Sequence, residues 1–376
     1  MKKALSPRTR HNIGRILPFG FIWLLSGWVF LAIEHAAVDN IGSLPDTAIR
    51  LNWQVFLFAS TMVFSLGLLI GYLEVVHLER LFASKSFAQK ILLKVMMYSG
   101  LLFIVIFLVF PVAASIELQT HLLAPRVWQK YLNFLGSITF FSTALQLTVS
   151  LLLSFFYAEI SETVGYRSLI NFFTGRYHRP TEEERIFMFL DLKSSTTIAE
   201  KLGHVAYFNL LKEYYADISA AIVDYEGEIY QYAGDEVIVS WRSREGLRNH
   251  NCLRCFFAME QALEQKRPRY EQRFGLLPTF KAGLHLGTVT TGEIGVIKRE
   301  IFFTGDVLNV AARIQGLCNS YGVKLLLSAA LAEQLPGNKG HRIRPVGESE
   351  LRGKSQRLRL FTVDKAVHKS VAEKAE

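Results

Sequence analysis

"IYQYAGDEVIVSW", Ile229 to Trp241, sets two β-rich apolar runs around Gly234-Asp235-Glu236. Gly and Asp tolerate the dihedrals of a tight turn, and β-branched and aromatic residues fill both flanks, so the stretch predicts a hairpin. A hairpin alone does not explain two consecutive carboxylates at the tip of segments otherwise suited to burial. The reason has to come from the rest of the chain.

Upstream, "RIFMFLDL" is a short strand-type run that ends in Asp191-Leu192. The stretch after it, "SSTTIAEKLGHVAYFNLLKEYYADISAAIVDYEG", has a helical period, with Ser194 or Ser195 as a cap. Downstream of the hairpin a helix is expected from about Gly246 to Gln265. Strands "TFKAGLHLG" and "REIFFTG" then bracket "TVTTGEIG". A helix in "DVLNVAARIQGLCNSYG", a strand "VKLLLS", a helix "AALAEQL" and a hairpin-like stretch ending "ELRGKSQRLRLFTV" complete the pattern. This order predicts an α+β domain, a mostly antiparallel sheet flanked by helices.

The first 160 residues read differently. Four apolar runs, roughly Ile16–Ile33, Val55–Val76, Leu93–Ile116 and Phe134–Phe156, approach the ~20 residues that cross ~30 Å of hydrocarbon. The first is not a signal peptide, because no small-residue cleavage site follows it and three more runs do. The expected organisation is an all-α membrane domain of four transmembrane helices at 1–157 and a juxtamembrane linker helix at 158–184. The α+β domain follows at 185–365, with a tail at 366–376. Lys2, Lys3, Arg8, Arg10 and Arg15 precede the first run, while the connection after it is nearly free of basic residues. The positive-inside rule then places the N-terminus and everything after the fourth run in the cytoplasm, on a multi-pass protein of the cell (inner) membrane. Glu74 and Glu117 fall near span ends, where such residues are ordinary.

The 42 Lys and Arg against 33 Asp and Glu give a formal +9. Part of that charge is used by the membrane topology. No basic patch is interleaved with exposed aromatics, which excludes nucleic acid as the expected partner. Three cysteines suit a reducing compartment. Cys252 and Cys255 lie in "NHNCLRCFFAMEQAL", which reads as a buried helix and lacks the further ligands a zinc site needs.

If the strand ending at Asp191 neighbours the hairpin, Asp191 and Asp235 meet at one sheet edge. Two anions there resist ionising together unless a cation is present, and hard oxygen ligands suit Mg²⁺ completed by water and phosphate oxygens. Glu236, next along its strand, is expected to point to the opposite face. Asn309 and Arg313 are four apart and project from one helix face, with Asp306 as the expected N-cap. An amide beside a guanidinium suits a phosphoryl group that gains charge in its transition state. Arg352 and Lys354 in "LRGKSQ" offer positive charge to a polyphosphate. His285 in "GLHLG" reads as a core or hydrogen-bonding histidine.

Taken in order, "FLDLKSST", "YAGDEVIVSW", "GLHLGTV", "GDVLNVAARI" and "LRGKS" resemble the class III adenylate/guanylate cyclase catalytic domain, over about Arg185 to Val363. The resemblance implies head-to-tail homodimers with active sites across the interface. Asp191 and Asp235, with the Leu192 carbonyl, would hold two Mg²⁺ or Mn²⁺ ions per site. Asn309 and Arg313 of the other subunit would stabilise the transition state. Lys354, or Arg352 instead, would contact the outer phosphates. The implied reaction converts ATP to 3′,5′-cyclic AMP and pyrophosphate, in intracellular signal transduction.

Two substrate-binding positions depart from the family pattern. Adenylate-specific members carry Lys where this chain has Gln231, and Asp or Thr where it has Phe302. Guanylate-specific members favour Glu and Cys or Ser there, which also does not match. ATP is the expected nucleotide ahead of GTP. The alternatives are a guanylate cyclase making cyclic GMP, or a catalytically degenerate membrane receptor with a cyclase-like dimerisation domain. The hairpin also resembles that of diguanylate cyclases, which read Gly-Gly-Asp-Glu-Phe. Only one Gly precedes Asp235, and that family lacks "GDVLNVAAR".

Overall fold

The computed structural model describes residues 5–41, 47–50, 52–78, 87–335, 341–350 and 357–365. Two compact units emerge, one Thr9–Ile170 and the other containing Asn171–Glu376.

The first unit is helical: α1 (Pro7–Ile41), α2 (Trp53–Tyr72), α3 (Phe87–Glu117), α4 (Pro125–Leu135) and α5 (Ile138–Val164). α2 continues as a π-helix over Leu73–Leu78. Four of these stretches are long and apolar enough to cross a membrane: Pro7–Ala36, Trp53–Leu78, Gln89–Glu117 and Ile138–Val164. Phe134 does not open the fourth, as the hydropathy had suggested. It belongs to α4, because the chain breaks at Gly136 and Ser137 caps α5 by accepting from the Phe140 amide.

Phe19, Trp23, Ile70, Tyr98, Leu151 and Phe155 form the unit's main buried cluster. Small residues permit close helix approach. A Cβ on Gly67 would lie 2.7 Å from the Phe19 carbonyl oxygen. Trp23 Nε1 donates to Ser154 Oγ at 2.8 Å, which pairs two fully buried polar groups. Glu74 and Glu117 are both paired: the buried Glu74 carboxylate binds Lys94, and Glu117 accepts from Lys130 Nζ at 2.6 Å.

The expected linker helix is broken. Gly165, at φ 87°, ends α5, and a separate short helix α6 (Tyr166–Phe173) follows. A positive φ of this kind is cheap for glycine and costly for most other residues.

The second unit is an eight-stranded sheet ordered β2-β3-β1-β4-β6-β8-β7, with β5 paired to β4. Its strands are β1 (Thr181–Leu192), β2 (Glu228–Ala233), β3 (Glu236–Arg242), β4 (Phe280–Ile294), β5 (Glu300–Thr304), β6 (Leu325–Ser328), β7 (His341–Glu350) and β8 (Arg357–Lys365). Among the described residues, only the β4–β6 pairing is parallel. The helices are α7 (Ser195–Leu202), α8 (His204–Asp224), α9 (Ser243–Leu247), α10 (Asn251–Gln265), α11 (Arg267–Phe274), α12 (Asp306–Gly316) and α13 (Ala329–Ala332). This is the mostly antiparallel α+β arrangement that the element order predicts.

Two strands run further than the periodicity suggests. β1 starts at Thr181, because Thr181–Glu184 pair with Thr288–Thr291. β4 extends through "TVTTGEI", which reads as a loop in isolation, because β5 pairs with its second half. One face of the sheet buries Ile186, Met188, Leu190, Val237, Val239 and Trp241 against α8 and α10. Cys252 and Cys255 lie in that core as free thiols. Burial pushes the Cys252 thiol up to about 12, so it is inert as a nucleophile at neutral pH.

The other face carries α12. A Cβ on Gly283 of β4 would lie 2.2 Å from the Gln315 amide nitrogen and 2.6 Å from the Ala311 carbonyl oxygen. The helix backbone therefore rests directly on the strand. Gly283→Ala should destabilise the unit by about 1–3 kcal/mol through overpacking. Thermal unfolding of the purified chain checks this, and an unchanged transition would contradict the backbone contact.

Candidate active site

The register of the central strand gathers the chemistry. Asp191, one residue from the end of β1, pairs with Glu236 on β3 and with Lys281 on β4. Residues directly opposite in antiparallel strands share a face, so these three side chains are neighbours. The turn joining β2 to β3 presents Asp235. Gly234, at φ 66°, supplies the left-handed residue that this turn requires. Tyr215 of α8 secures the turn by donating its hydroxyl to the Gly234 carbonyl oxygen, and its ring lies 4.6 Å from that of Tyr232. Burial, then the charge of Asp235, pushes the Tyr215 phenol up to about 12, so it remains a donor.

Asp191 and Asp235 come together as the hairpin reading requires. Burial, followed by the hydrogen bond and charge of Asp235, raises the Asp191 carboxyl above its ordinary range, while Lys281 pulls it back. Glu236 is not turned away from this charge. Counting along β3 misplaced it, because Asp235 sits in the turn and off the strand ladder. Burial and then the charges of Asp191 and Asp235 raise the Glu236 carboxyl too. The three do not combine into a ready metal cluster: among the described residues, no group of three His, Cys, Asp or Glu side chains is placed to hold a metal.

A pair of adjacent half-buried carboxylates, one of them raised by its neighbour, fits a hard divalent cation completed by water and phosphate oxygens, and does not fit zinc. Leu192 follows Asp191 as the buried last residue of β1. Lys193 then anchors the chain by donating its amide to the Thr279 carbonyl at 2.8 Å. Ser194 holds the N-cap position of α7 at φ 58°, with no side-chain capping bond.

Helix α12 has two working faces. Gln315, buried, donates through Nε2 to Asp191 Oδ2 at 3.0 Å, and Lys281 Nζ lies 3.4 Å from the same oxygen. Asn309 and Arg313 project to solvent. Among the described residues, no hydrogen bond or ion pair joins them to the carboxylates of their own chain. Asp306 is the first helical residue and not the cap, a position that Gly305 fills at φ 147°.

Gln231 is exposed on β2, just past a bulge, and pairs with Ile238. Phe302 is exposed on β5 opposite Gly292, while its neighbour Phe303 packs on Phe187 and Tyr230. Arg352 and Lys354 lie outside the described residues. His285 meets Ser328, Nδ1 to Oγ at 2.8 Å, as a hydrogen-bonding histidine. Sequence reasoning missed Lys281, Gln315 and Tyr215. Lys281 could have been found from an aligned β1–β4 register, whereas nothing local marks the other two.

A mostly antiparallel α+β sheet thus presents paired acids at the end of its central strand. Residues 178–364 match the family model of the adenylate and guanylate cyclase catalytic domain, and this region of the chain belongs to that family. Adenylate cyclase 2 of Rhizobium meliloti (strain 1021) is 33% identical over 208 residues, which cover 55% of this chain and 57% of that relative. Adenylate cyclase 1 of the same organism is 32% identical over 187 residues, 48% of this chain and 27% of the relative. The chain thus spans less than two thirds of either protein. A solved structure of a bacterial light-regulated adenylyl cyclase shares the fold at a TM-score of 0.51 and 22% identity, covering 61% of this chain and 66% of that one.

Two outcomes follow from the geometry. Because the fold raises the Asp191 carboxyl, its ionisation costs stability: with chelator present, stability should fall as pH rises above the ordinary Asp value of about 3.9. Mg²⁺ should restore the loss in the native chain and not in Asp235→Asn, as read by melting temperature. A native chain that is indifferent to both pH and Mg²⁺ would contradict the carboxylate pairing. Separately, Gln315→Leu should raise the Mg²⁺ concentration for half-maximal stabilisation by about 10–100-fold, because the bond that orients Asp191 is gone. An unchanged Mg²⁺ titration would remove Gln315 from the site.

Proposed function

We propose that the chain is a membrane-anchored class III adenylate cyclase that converts ATP to 3′,5′-cyclic AMP and pyrophosphate as a homodimer. The observation that carries this reading is the Asp191–Asp235 pair, brought together at the end of β1 inside a domain of the cyclase family. Asp191 and Asp235, with the Leu192 carbonyl, would hold two Mg²⁺ or Mn²⁺ ions. When bound, these supply Lewis-acid activation of the ribose 3′-oxygen and neutralise developing negative charge.

The chain's own groups do the rest. Gln315 and Lys281 fix the Asp191 carboxylate from the side. Tyr215 holds the turn that aims Asp235. Asn309 and Arg313 donate to the phosphoryl oxygens as the 3′-oxygen displaces pyrophosphate from the α-phosphorus in line. Their exposure on α12, apart from their own carboxylates, supports a site completed by a second copy. Each copy would then give α12 to its partner and receive the same in return, as a two-fold dimer requires.

Adenine is favoured by the adenylate cyclase relatives. The Gln231 amide both donates and accepts, so it can face a purine edge, and the exposed Phe302 ring offers a stacking surface. Arg352 or Lys354 would meet the outer phosphates. The four apolar helices support anchoring, and the N-terminal basic residues support a cytoplasmic N-terminus and catalytic domain in the cell membrane.

Cyclic nucleotide formation by the full chain in lipid nanodiscs, with ATP and GTP supplied separately under Mg²⁺ and Mn²⁺, tests the proposal. Cyclic AMP should form from ATP, and Arg313→Ala should lower turnover by about 10²–10³-fold. Preference for GTP would overturn the adenine assignment. No product from either nucleotide in a folded, dimeric sample would overturn catalysis.

A further inference from the structure

Where α3 ends and α4 begins, the helical unit contains a cavity of about 560 Å³. That lies within the ~300–1,000 Å³ typical of small-molecule sites. Its floor is a fixed ion pair. Glu117, 9% exposed, accepts from Lys130 Nζ at 2.6 Å and from the Arg50 backbone amide at 3.0 Å. One carboxylate thereby ties together three segments: the connection before α2, the end of α3, and α4.

This pairing consumes the cavity's one acid among the described lining residues and neutralises Lys130. Arg50 and Arg126 also line the cavity, and neither has an ion-pair partner among the described residues. Among the described lining residues, three cations stand against one anion, a net positive balance. Asn52, Gln129 and Asn133 add amide donors to the same wall. A guanidinium presents a planar fork that matches carboxylate and phosphate oxygens two at a time. A lining that includes two arginines and three amide-bearing residues is chemically suited to an oxygen-rich anion and poorly suited to a cation.

We propose that this cavity is a binding site for a small anion bearing several carboxylate or phosphate oxygens, with Arg50 and Arg126 as its principal contacts. In the orientation proposed above, it opens away from the cytoplasm. The anion can arrive as a dissolved solute or as a lipid headgroup, because both present the same carboxylate or phosphate oxygens.

The full chain in phosphatidylcholine nanodiscs, titrated with citrate and separately with inorganic phosphate, tests the dissolved source by calorimetry and melting temperature. Nanodiscs containing phosphatidylglycerol test the headgroup source. Saturable binding or stabilisation is expected in one arm, weakened about tenfold by Arg50→Gln and by Arg126→Gln. Citrate and phosphate also stabilise proteins non-specifically by exclusion from their surfaces, and comparison with the variants cancels that contribution. No saturable response in any arm, or equal responses in native and variant chains, would overturn the site. Cyclic nucleotide formation measured on the same samples separates the two readings: binding without catalysis sinks the cyclase assignment alone.

Discussion

Two carboxylates held close together, Asp191 raised toward protonation by burial and by Asp235, are the constraint around which the catalytic unit is built. Asp191 and Asp235 would separate in any flexible chain. They stay together because Asp191 is near the end of a strand paired on both sides, and because Asp235 sits in a turn fixed by Gly234 and by the Tyr215 hydroxyl. The surrounding groups temper the repulsion and leave part of it in place. Lys281 and Gln315 each reach the same oxygen of Asp191, yet its carboxyl remains shifted toward protonation. What is left favours a divalent cation.

Helix α12 links that pair to the remaining chemistry. Its inner face rests on β4, through a contact that only a glycine at 283 allows, and it sends Gln315 to Asp191. Its outer face sends Asn309 and Arg313 into solvent. One rigid element thus orients an acid in its own chain and, in the proposed dimer, presents the charge-stabilising donors to the other copy. A displacement of α12 would disturb both sites together.

Much of this was legible in the sequence because it depends on local pattern. The Gly234-Asp235 turn between β-rich runs identified the hairpin. The four-residue spacing placed Asn309 and Arg313 on one face, and sustained apolar runs marked the four long helices. The parts that were not legible depend on register or on close approach. Nothing in "FKAG" says that Lys281 will oppose Asp191, and nothing near Gln315 says that it will reach a strand end 124 residues away. The length of β4 was hidden because Gly292 and Glu293 interrupt the β-rich run in "TVTTGEI", which is held as a strand through its partners β1 and β5. Phe134 was misplaced because hydropathy does not register the break at Gly136-Ser137.

The central claim is that one active site takes its carboxylates from one copy and its phosphoryl donors from another. The most direct measurement mixes two inactive full-length variants, Asp235→Ala and Arg313→Ala, after dissociation and reassembly in detergent, and follows cyclic AMP formation. The account predicts that activity absent from each variant alone returns in the mixture, because a mixed dimer contains one site with every residue intact. A mixture as inactive as its components, in a sample shown to contain mixed dimers, would contradict it.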